Sequence, residues 1–303
     1  MARPLKVGVQ LPEVERVVRW PELRSMIVTA ERIGLDSIWV GDHLLYRERE
    51  SEPVAPWEAW SQLAAIAAIT SRVQLGPLVA ATSFHNPAIL AAKAAAIHEI
   101  SGGRLILGLG AGWNEDEYTA FGFRFDQRVS RFEEAFTIIR SYLQDGRADL
   151  DGRFHQVRDL PRLPSPTEPG PPLMVGSIGP RMLEITMPHV QAWNAWFAWF
   201  GNTVEGYLPL RDRIDAACRA VGREPAEVER TLALLVAFAG RVGRQAGGDD
   251  DPEPEPIPGD AAVLVPTLRA FAEAGVAHVQ LVLDPITVET IAALEPTLVA
   301  LDG

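Results

Sequence analysis

The chain has 303 residues, 47% of them hydrophobic, and a formal net charge of −12 at pH 7. Nucleic-acid binding needs clustered Lys and Arg, and the chain has no basic run, so the composition excludes a nucleic-acid partner. No apolar run approaches the ~18 residues of a membrane span, and no signal-like core follows a charged start, so we expect a cytoplasmic protein with no membrane partner. Cys218 is the only cysteine, which excludes an intrachain disulfide.

Short apolar runs alternate with helical patterns along the whole chain. The predicted strands cover residues 5–11, 36–41, 73–80, 104–109, 173–175, 190–193, 231–239 and 277–283. The predicted helices cover residues 22–33, 57–69, 87–100, 131–143, 180–187, 204–221, 261–274 and 288–301. Gly34, Gly222 and Gly275 follow three of these helices, where glycine commonly ends a helix, and Pro87 opens a fourth.

Eight strand–helix pairs predict an α/β fold, a (β/α)8 TIM barrel in which residues 1–303 form a single domain. The strands are continuous apolar runs, which is typical of a parallel sheet covered on both faces. An open, doubly wound sheet is the alternative. Two polar, proline-rich segments, 146–172 and the acidic 243–259, are predicted as loop insertions at the C-terminal face. Barrel enzymes carry their active sites at that face, so the strand ends are where chemistry is expected.

The second predicted strand ends in Asp42 and His43. A histidine titrates near neutrality, so next to a carboxylate at a barrel mouth it is a candidate for passing protons or orienting a reacting ring. The alternative is that Asp42 caps a local turn and His43 is a surface residue.

The ends of the third and fourth strands are rich in small residues. Ala80, Ala81 and Thr82 leave room for a flat ligand, although an ordinary helix entry is the alternative. The fourth strand continues as Gly108-Leu109-Gly110-Ala111-Gly112, in which glycines permit a close backbone approach to a ligand. The alternative here is a plain turn.

The fifth and sixth strand ends suggest a phosphate site and a pocket wall. Gly176, Ser177 and Gly179 lead directly into a helix, and the N–H groups at a helix start bind phosphate. After the sixth strand, Trp196 and Trp199 lie in an aromatic run that is predicted to line an apolar substrate pocket, with core packing as the alternative.

Together these segments resemble the luciferase-like monooxygenase superfamily. The resemblance is carried by residues 34–43 and 100–113, by Glu117-Tyr118 and Phe121-Gly122, by the turn 175–179, and by residues 274–276. It implies a flavin or deazaflavin cofactor at the barrel mouth, with Asp42 and His43 beside the reactive ring and His43 as proton donor or orienter. It also implies a backing segment at Leu78–Ala80, often with a non-proline cis peptide bond. The implied cofactor contacts are Asp42, Leu78, Val79, Ala80, Ala111, Gly112, Gly176, Ser177 and Gly179.

The sequence departs from some branches of this superfamily. Sugar-phosphate dehydrogenases of the deazaflavin branch have a glutamate directly after the strand-four glycines, where this chain has Trp113, and this predicts against sugar-phosphate oxidation. Bacterial luciferase has paired histidines at strand two, where this chain has Asp42 and His43, and this predicts against light emission.

The general appearance is closest to the branch that uses coenzyme F420. We therefore expect hydride transfer between F420 and an apolar small-molecule substrate, carried out by a homodimer. One alternative is an FMN-dependent monooxygenase that receives reduced flavin from a separate cofactor reductase; another is a cofactor-binding relative without turnover. No metal is expected because the six histidines are scattered, and no Schiff base because Lys6 starts a strand and Lys93 lies on a helix.

Overall fold

The structure, a computed structural model, describes residues 3–47, 52–162, 169–241 and 254–303. The predicted acidic loop lies partly outside these residues, as does the stretch 163–168 of the other predicted insertion. The helices of the described residues are α1 (Trp20–Arg32), α2 (Ala59–Ile69), α3 (Pro87–Ile100), α4 (Glu115–Phe121), α5 (Arg128–Arg140), α6 (Pro180–Thr186), α7 (Val204–Ala220), α8 (Ala261–Glu273), α9 (Val288–Ala292) and α10 (Glu295–Asp302).

Parallel strands form a barrel, as predicted. They are β1 (Lys6–Gln10), β2 (Ser37–Val40), β3 (Gln74–Pro77), β4 (Ala80–Ala81), β5 (Leu107–Gly110), β8 (Leu173–Val175), β9 (Ala192–Ala195), β10 (Glu229–Ala237) and β12 (Val276–Asp284), with β6 (Arg147–Asp151), β7 (Gln156–Pro161) and β11 (Ile257–Pro258) outside the barrel wall. Their order is β3-β2-β1-β12-β10-β9-β8-β5-β4. A parallel bridge between Leu75 and Leu105 joins the two ends, so the sheet closes on itself and the open-sheet alternative is wrong.

The third barrel strand is divided, although the sequence predicted one strand over 73–80. β3 pairs with β2, whereas β4 pairs with β5. Between them the peptide bond from Leu78 to Val79 is cis, as the family resemblance led us to expect.

Two helices differ from the sequence prediction. The helix expected over 288–301 is two helices, α9 and α10, because Pro296 in the first turn of α10 has no N–H to continue α9. The short α4 was missed. Asn114 caps α4 by accepting a hydrogen bond from the Asp116 N–H, and its acidic first turn suits the positive end of the helix dipole.

The core lies between the barrel and its surrounding helices, and a small polar network fills part of the barrel interior. The His278 Nε2 atom lies 2.7 Å from the Ser37 hydroxyl, which also accepts from Trp39 Nε1 at 2.7 Å. Burial lowers the pKa of His278 to about 3, so its ring is neutral and its Nε2 atom accepts a hydrogen bond from the Ser37 hydroxyl. The His278 ring itself therefore carries no charge.

The predicted insertion 146–172 contains a hairpin of antiparallel β6 and β7. The hairpin is inserted between α5 and β8. Its base therefore lies at the amino-terminal face of the barrel, opposite the carboxyl ends of the strands. Its turn nevertheless returns toward the mouth, where Glu134 accepts from the N–H groups of residues 153–155. No helix in the described part of the chain is both long and apolar enough to cross a membrane.

Candidate active site

His43 is paired with a carboxylate that the sequence analysis did not assign to it. Its Nδ1 atom lies 3.0 Å and 3.2 Å from the two carboxylate oxygens of Glu117, on α4. Glu117 is 1% exposed and also accepts the backbone N–H groups of Leu44 and Leu45. Because a carboxylate only accepts hydrogen bonds, the Nδ1 atom carries a hydrogen and the Nε2 atom is the free basic nitrogen of the neutral ring.

The charges around His43 favour its protonated form. Burial opposes protonation, but the hydrogen bond from His43 to Glu117 and the negative charges of Glu13, Glu117 and Asp42 outweigh it and raise the pKa of His43 above its ordinary value. The ring therefore holds its proton to higher pH than a free histidine does, as a general acid requires.

Glu13, after β1, was also missed by the sequence analysis. It accepts from Gln10 Nε2 at 3.0 Å and from the Tyr46 hydroxyl at 3.3 Å. The Tyr46 ring lies 4.7 Å from the His43 ring, and a Cβ at Gly41 would overlap the Glu13 carboxylate. The glycine at position 41 thus makes room for a second acid beside the histidine.

Asp42 is 4% exposed and makes two hydrogen bonds through one oxygen. The Ala81 N–H donates to it at 3.0 Å, and His85 Nε2 lies 2.8 Å away. Asp42 therefore holds β4 against the end of β2. The sequence analysis gave His85 no role, and its pairing with Asp42 is a tertiary contact that no local pattern predicts.

The glycines of β5 accommodate protein atoms, whereas the sequence interpretation reserved their space for a ligand. A Cβ at Gly108 would lie 2.8 Å from the Val79 side chain, and one at Gly110 would lie 2.9 Å from it. A Cβ at Gly176 would lie 3.2 Å from the same side chain. Val79 thus fills the space left by three glycines of neighbouring strand ends.

Gly112 has a different reason to be glycine. Its φ is +76°, a conformation that side chains rarely adopt, and a Cβ there would overlap the Tyr118 hydroxyl. That hydroxyl donates to the Ala111 carbonyl at 2.8 Å, and Arg128 Nη1 donates to the Gly112 carbonyl at 2.7 Å. The Ala111–Gly112 loop is therefore fixed from outside the mouth.

Two hydrogen bonds position the turn that joins β8 to α6. The Gly176 N–H donates to the Leu109 carbonyl at 3.2 Å, and Trp193 Nε1 donates to the Ser177 carbonyl at 2.7 Å. A Cβ at Gly179 would make only ordinary van der Waals contacts, at 3.8 Å or more, so the turn has room for a methyl group there. Arg181 is directed elsewhere, with its Nη2 atom 2.7 Å from Glu133.

The aromatic run after β9 divides between core and surface. Phe197 and Phe200 are buried, which supports core packing for these two, whereas Trp199 is 42% exposed. The ring of Trp196 lies 4.4 Å from that of Phe197. At the mouth itself, Trp113 is 46% exposed and meets His43 edge-on, 5.6 Å between ring centroids.

The sequence-predicted residues lie on one rim of the barrel. Asp42 contacts the Ala80–Ala81 strand, which pairs with Leu109–Gly110, and Leu109 in turn contacts Gly176. The contact chain joins the ends of β2, β4, β5 and β8. The sequence analysis named Glu117 only as part of the family resemblance and gave it no role. Loops after parallel barrel strands converge, but nothing local paired Glu117 with His43.

The rim suits a flat cofactor with a phosphate. Leu78 and Val79 are partly buried and offer a small apolar surface beside the fully buried Ala80, and the first-turn N–H groups next to Gly179 have no partner within α6. In the described ranges, no group of three or more His, Cys, Asp or Glu side chains is arranged to hold a metal ion.

A closed parallel barrel with an imidazole–carboxylate pair and a glycine turn on its C-terminal rim has the architecture of a barrel enzyme. The profile of the luciferase-like monooxygenase family matches residues 6–241. The chain belongs to this family and is an oxidoreductase of it.

The curated relatives include an F420-dependent dehydrogenase and a ketoreductase. The chain is 29% identical over 240 residues to the F420-dependent glucose-6-phosphate dehydrogenase of Amycolatopsis mediterranei, covering 77% of this chain and 69% of the relative. It is 34% identical over 225 residues to the phthiodiolone/phenolphthiodiolone dimycocerosates ketoreductase of Mycobacterium bovis, covering 68% of this chain and 58% of the relative. An F420-dependent secondary alcohol dehydrogenase, solved with an F420–acetone adduct, superposes over 100% of both chains with a TM-score of 0.81 and 18% identity, a likeness of fold.

Proposed function

We propose that the protein transfers hydride between coenzyme F420 and an uncharged, largely apolar alcohol or carbonyl compound, with residues 1–303 acting as one domain. The single observation that carries the proposal is the His43–Glu117 pair at the barrel mouth, with Nδ1 held at 3.0 Å by the carboxylate. The pair leaves Nε2 of His43 without a hydrogen bond in the part of the chain that the structure describes.

His43 handles the proton of the reaction. When bound, the deazaflavin accepts or returns a hydride. During alcohol oxidation, Nε2 of His43 takes the hydroxyl proton while the carbinol C–H bond breaks and its electron pair leaves as hydride. During carbonyl reduction, protonated His43 returns that proton to the forming alkoxide. Glu117 stabilises the imidazolium in both directions.

The charges of the rim favour an uncharged substrate. Glu13, Asp42 and Glu117 are each no more than 9% exposed around the strand ends, whereas Asp284 is paired with Arg241 at 3.2 Å. The two lysines are distant from the rim, since Lys6 begins β1 and Lys93 lies on α3. A sugar phosphate would bring negative charge beside these carboxylates, whereas Trp113 offers apolar contact.

In this proposal the coenzyme is bound by the rim residues that the family resemblance implies. Leu78, Val79 and Ala80 back the ring, with Asp42 and the Ala111–Gly112 loop beside it. The turn of Gly176, Ser177 and Gly179 takes the phosphate at the start of α6. The names of the relatives support F420 over FMN.

Difference spectra of the purified protein with oxidised F420 and with FMN test the cofactor. We expect a saturable change with F420 at micromolar concentrations; saturation with FMN alone would contradict the proposal. Turnover is then followed by F420 absorbance with a panel of secondary alcohols and ketones. Oxygen uptake with reduced FMN would instead indicate a monooxygenase, and F420 binding without turnover on any substrate would indicate a binding protein.

Replacing His43 with Asn tests the proton role separately. We expect F420 binding to persist while kcat falls by about 10²–10⁴-fold, the usual contribution of a general acid–base group. An Asn variant with unchanged kcat would remove His43 from the mechanism. The homodimer stays a prediction, to be checked by light scattering against the 33.1 kDa chain mass.

A further inference from the structure

A cleft of about 200 Å³ lies on the outer side of the rim. Its walls include Thr82, Ser83, Phe123, Arg124, Arg131 and His155. The Ser83 hydroxyl donates to the Ala111 carbonyl at 3.1 Å, and the Thr82 hydroxyl donates to the Gly110 carbonyl at 3.2 Å. The cleft therefore shares a wall with the loop that the proposed function assigns to the coenzyme.

The cleft carries a positive charge. Arg131 is fixed in place because its Nε atom donates to the Asp126 carbonyl at 3.0 Å and its guanidinium lies 4.5 Å from the centre of the Phe154 ring. Arg124 is more exposed and lies 3.2 Å from the Asp126 carboxylate. Two guanidinium groups thus face one carboxylate.

His155 adds a polar group without adding a negative charge. Burial lowers the pKa of His155, and Arg131 acts in the same direction, while Glu134 opposes them. Glu134 itself is occupied by the backbone N–H groups of Arg153, Phe154 and His155, at 2.8 to 2.9 Å. Against the effect of burial, these hydrogen bonds lower the pKa of Glu134 and hold its carboxylate, ionised, against the hairpin backbone and outside the walls of the cleft.

We propose that this cleft binds the carboxylates of the glutamate tail of coenzyme F420, an inference that rests on the proposed function. When the deazaflavin ring lies between Ala80 and Ala111, the phosphate of the coenzyme lies at the rim. The cleft begins at the Ala111–Gly112 loop, which Ser83 contacts. A guanidinium group can donate two parallel hydrogen bonds to one carboxylate. Each exposed ion pair between an arginine and a carboxylate adds a modest amount of binding free energy. FMN ends at its phosphate and has no group for the cleft, so the cleft selects the deazaflavin coenzyme.

The test compares two forms of the coenzyme, F420 with its glutamate tail and the same molecule with the glutamates removed, by quenching of tryptophan fluorescence. We expect the tailed form to bind wild type about fivefold more tightly, the equivalent of about 1 kcal/mol. The double variant R124Q/R131Q should bind both forms equally, with its affinity for the tail-free form unchanged. Added salt should reduce the wild-type preference.

The matched control is Arg158→Gln, on the hairpin. Arg158 is exposed and pairs with Asp151 at 2.9 Å, outside the cleft, so R158Q should keep the preference for the tail. Equal binding of the two forms by wild type, or a preference that survives R124Q/R131Q, overturns the cleft assignment while leaving the proposed function intact. Failure of wild type to bind either form overturns the proposed function itself and this inference with it.

Discussion

Replacing Glu117 with Gln changes which nitrogen of His43 carries its hydrogen. In the native protein the carboxylate accepts from the backbone N–H groups of Leu44 and Leu45 through Oε1 and from His43 through both oxygens. A glutamine must keep its carbonyl oxygen toward the two backbone donors, which turns its NH2 group toward Nδ1 of His43. The neutral histidine then accepts at Nδ1 and carries its hydrogen on Nε2.

That change removes the free base at the position where the substrate proton must go. Loss of a positioned general base costs about 10²–10⁴-fold in rate, so we expect kcat for alcohol oxidation by E117Q to fall within that range. The variant also loses the negative charge that raises the pKa of His43, so the remaining activity should have its pH profile displaced to lower pH.

The assay follows F420 reduction with a secondary alcohol across pH, together with the Kd of F420. Glu115→Gln is the matched control, because Glu115 is an exposed acid in the first turn of the same helix and should leave both quantities unchanged. An E117Q enzyme with native kcat would refute the reasoning. Equal losses of kcat and of coenzyme affinity would show that Glu117 acts through structure alone.

Two further predictions concern packing and pH. Gly110→Ala should lower the unfolding free energy by about 1–3 kcal/mol, as overpacking does, and Val79→Ala should restore it in chemical denaturation, because only the Val79 side chain obstructs the new methyl group. Gly108→Ala should not be rescued by Val79→Ala, since its Cβ also overlaps the Pro77 carbonyl; rescue would disprove the packing account. Alcohol oxidation needs neutral His43 and should rise with pH through its raised pKa, whereas carbonyl reduction needs the protonated ring and should fall there; parallel profiles in stopped-flow assays would contradict this.

The sequence by itself predicted the barrel and the carboxyl ends of its strands as the place where a site is expected. Eight strand–helix alternations, with caps at Gly34, Gly222 and Gly275, predict a parallel α/β sheet and favour a barrel over an open sheet, because local propensity and apolar periodicity are properties of neighbouring residues. The same pattern identified Asp42, Ala111 and the others as strand-end residues, and the structure has these strand ends on one rim.

Only the tertiary structure decided the partners at that rim. Glu117 meets His43 across 74 positions of sequence, and His85 meets Asp42 across 43. The glycines of β5 are glycines because Val79, from another strand, occupies the space beside them. Such contacts depend on where the loops converge once the barrel has closed. The periodicity of one segment does not predict which side chain of a distant segment will contact it.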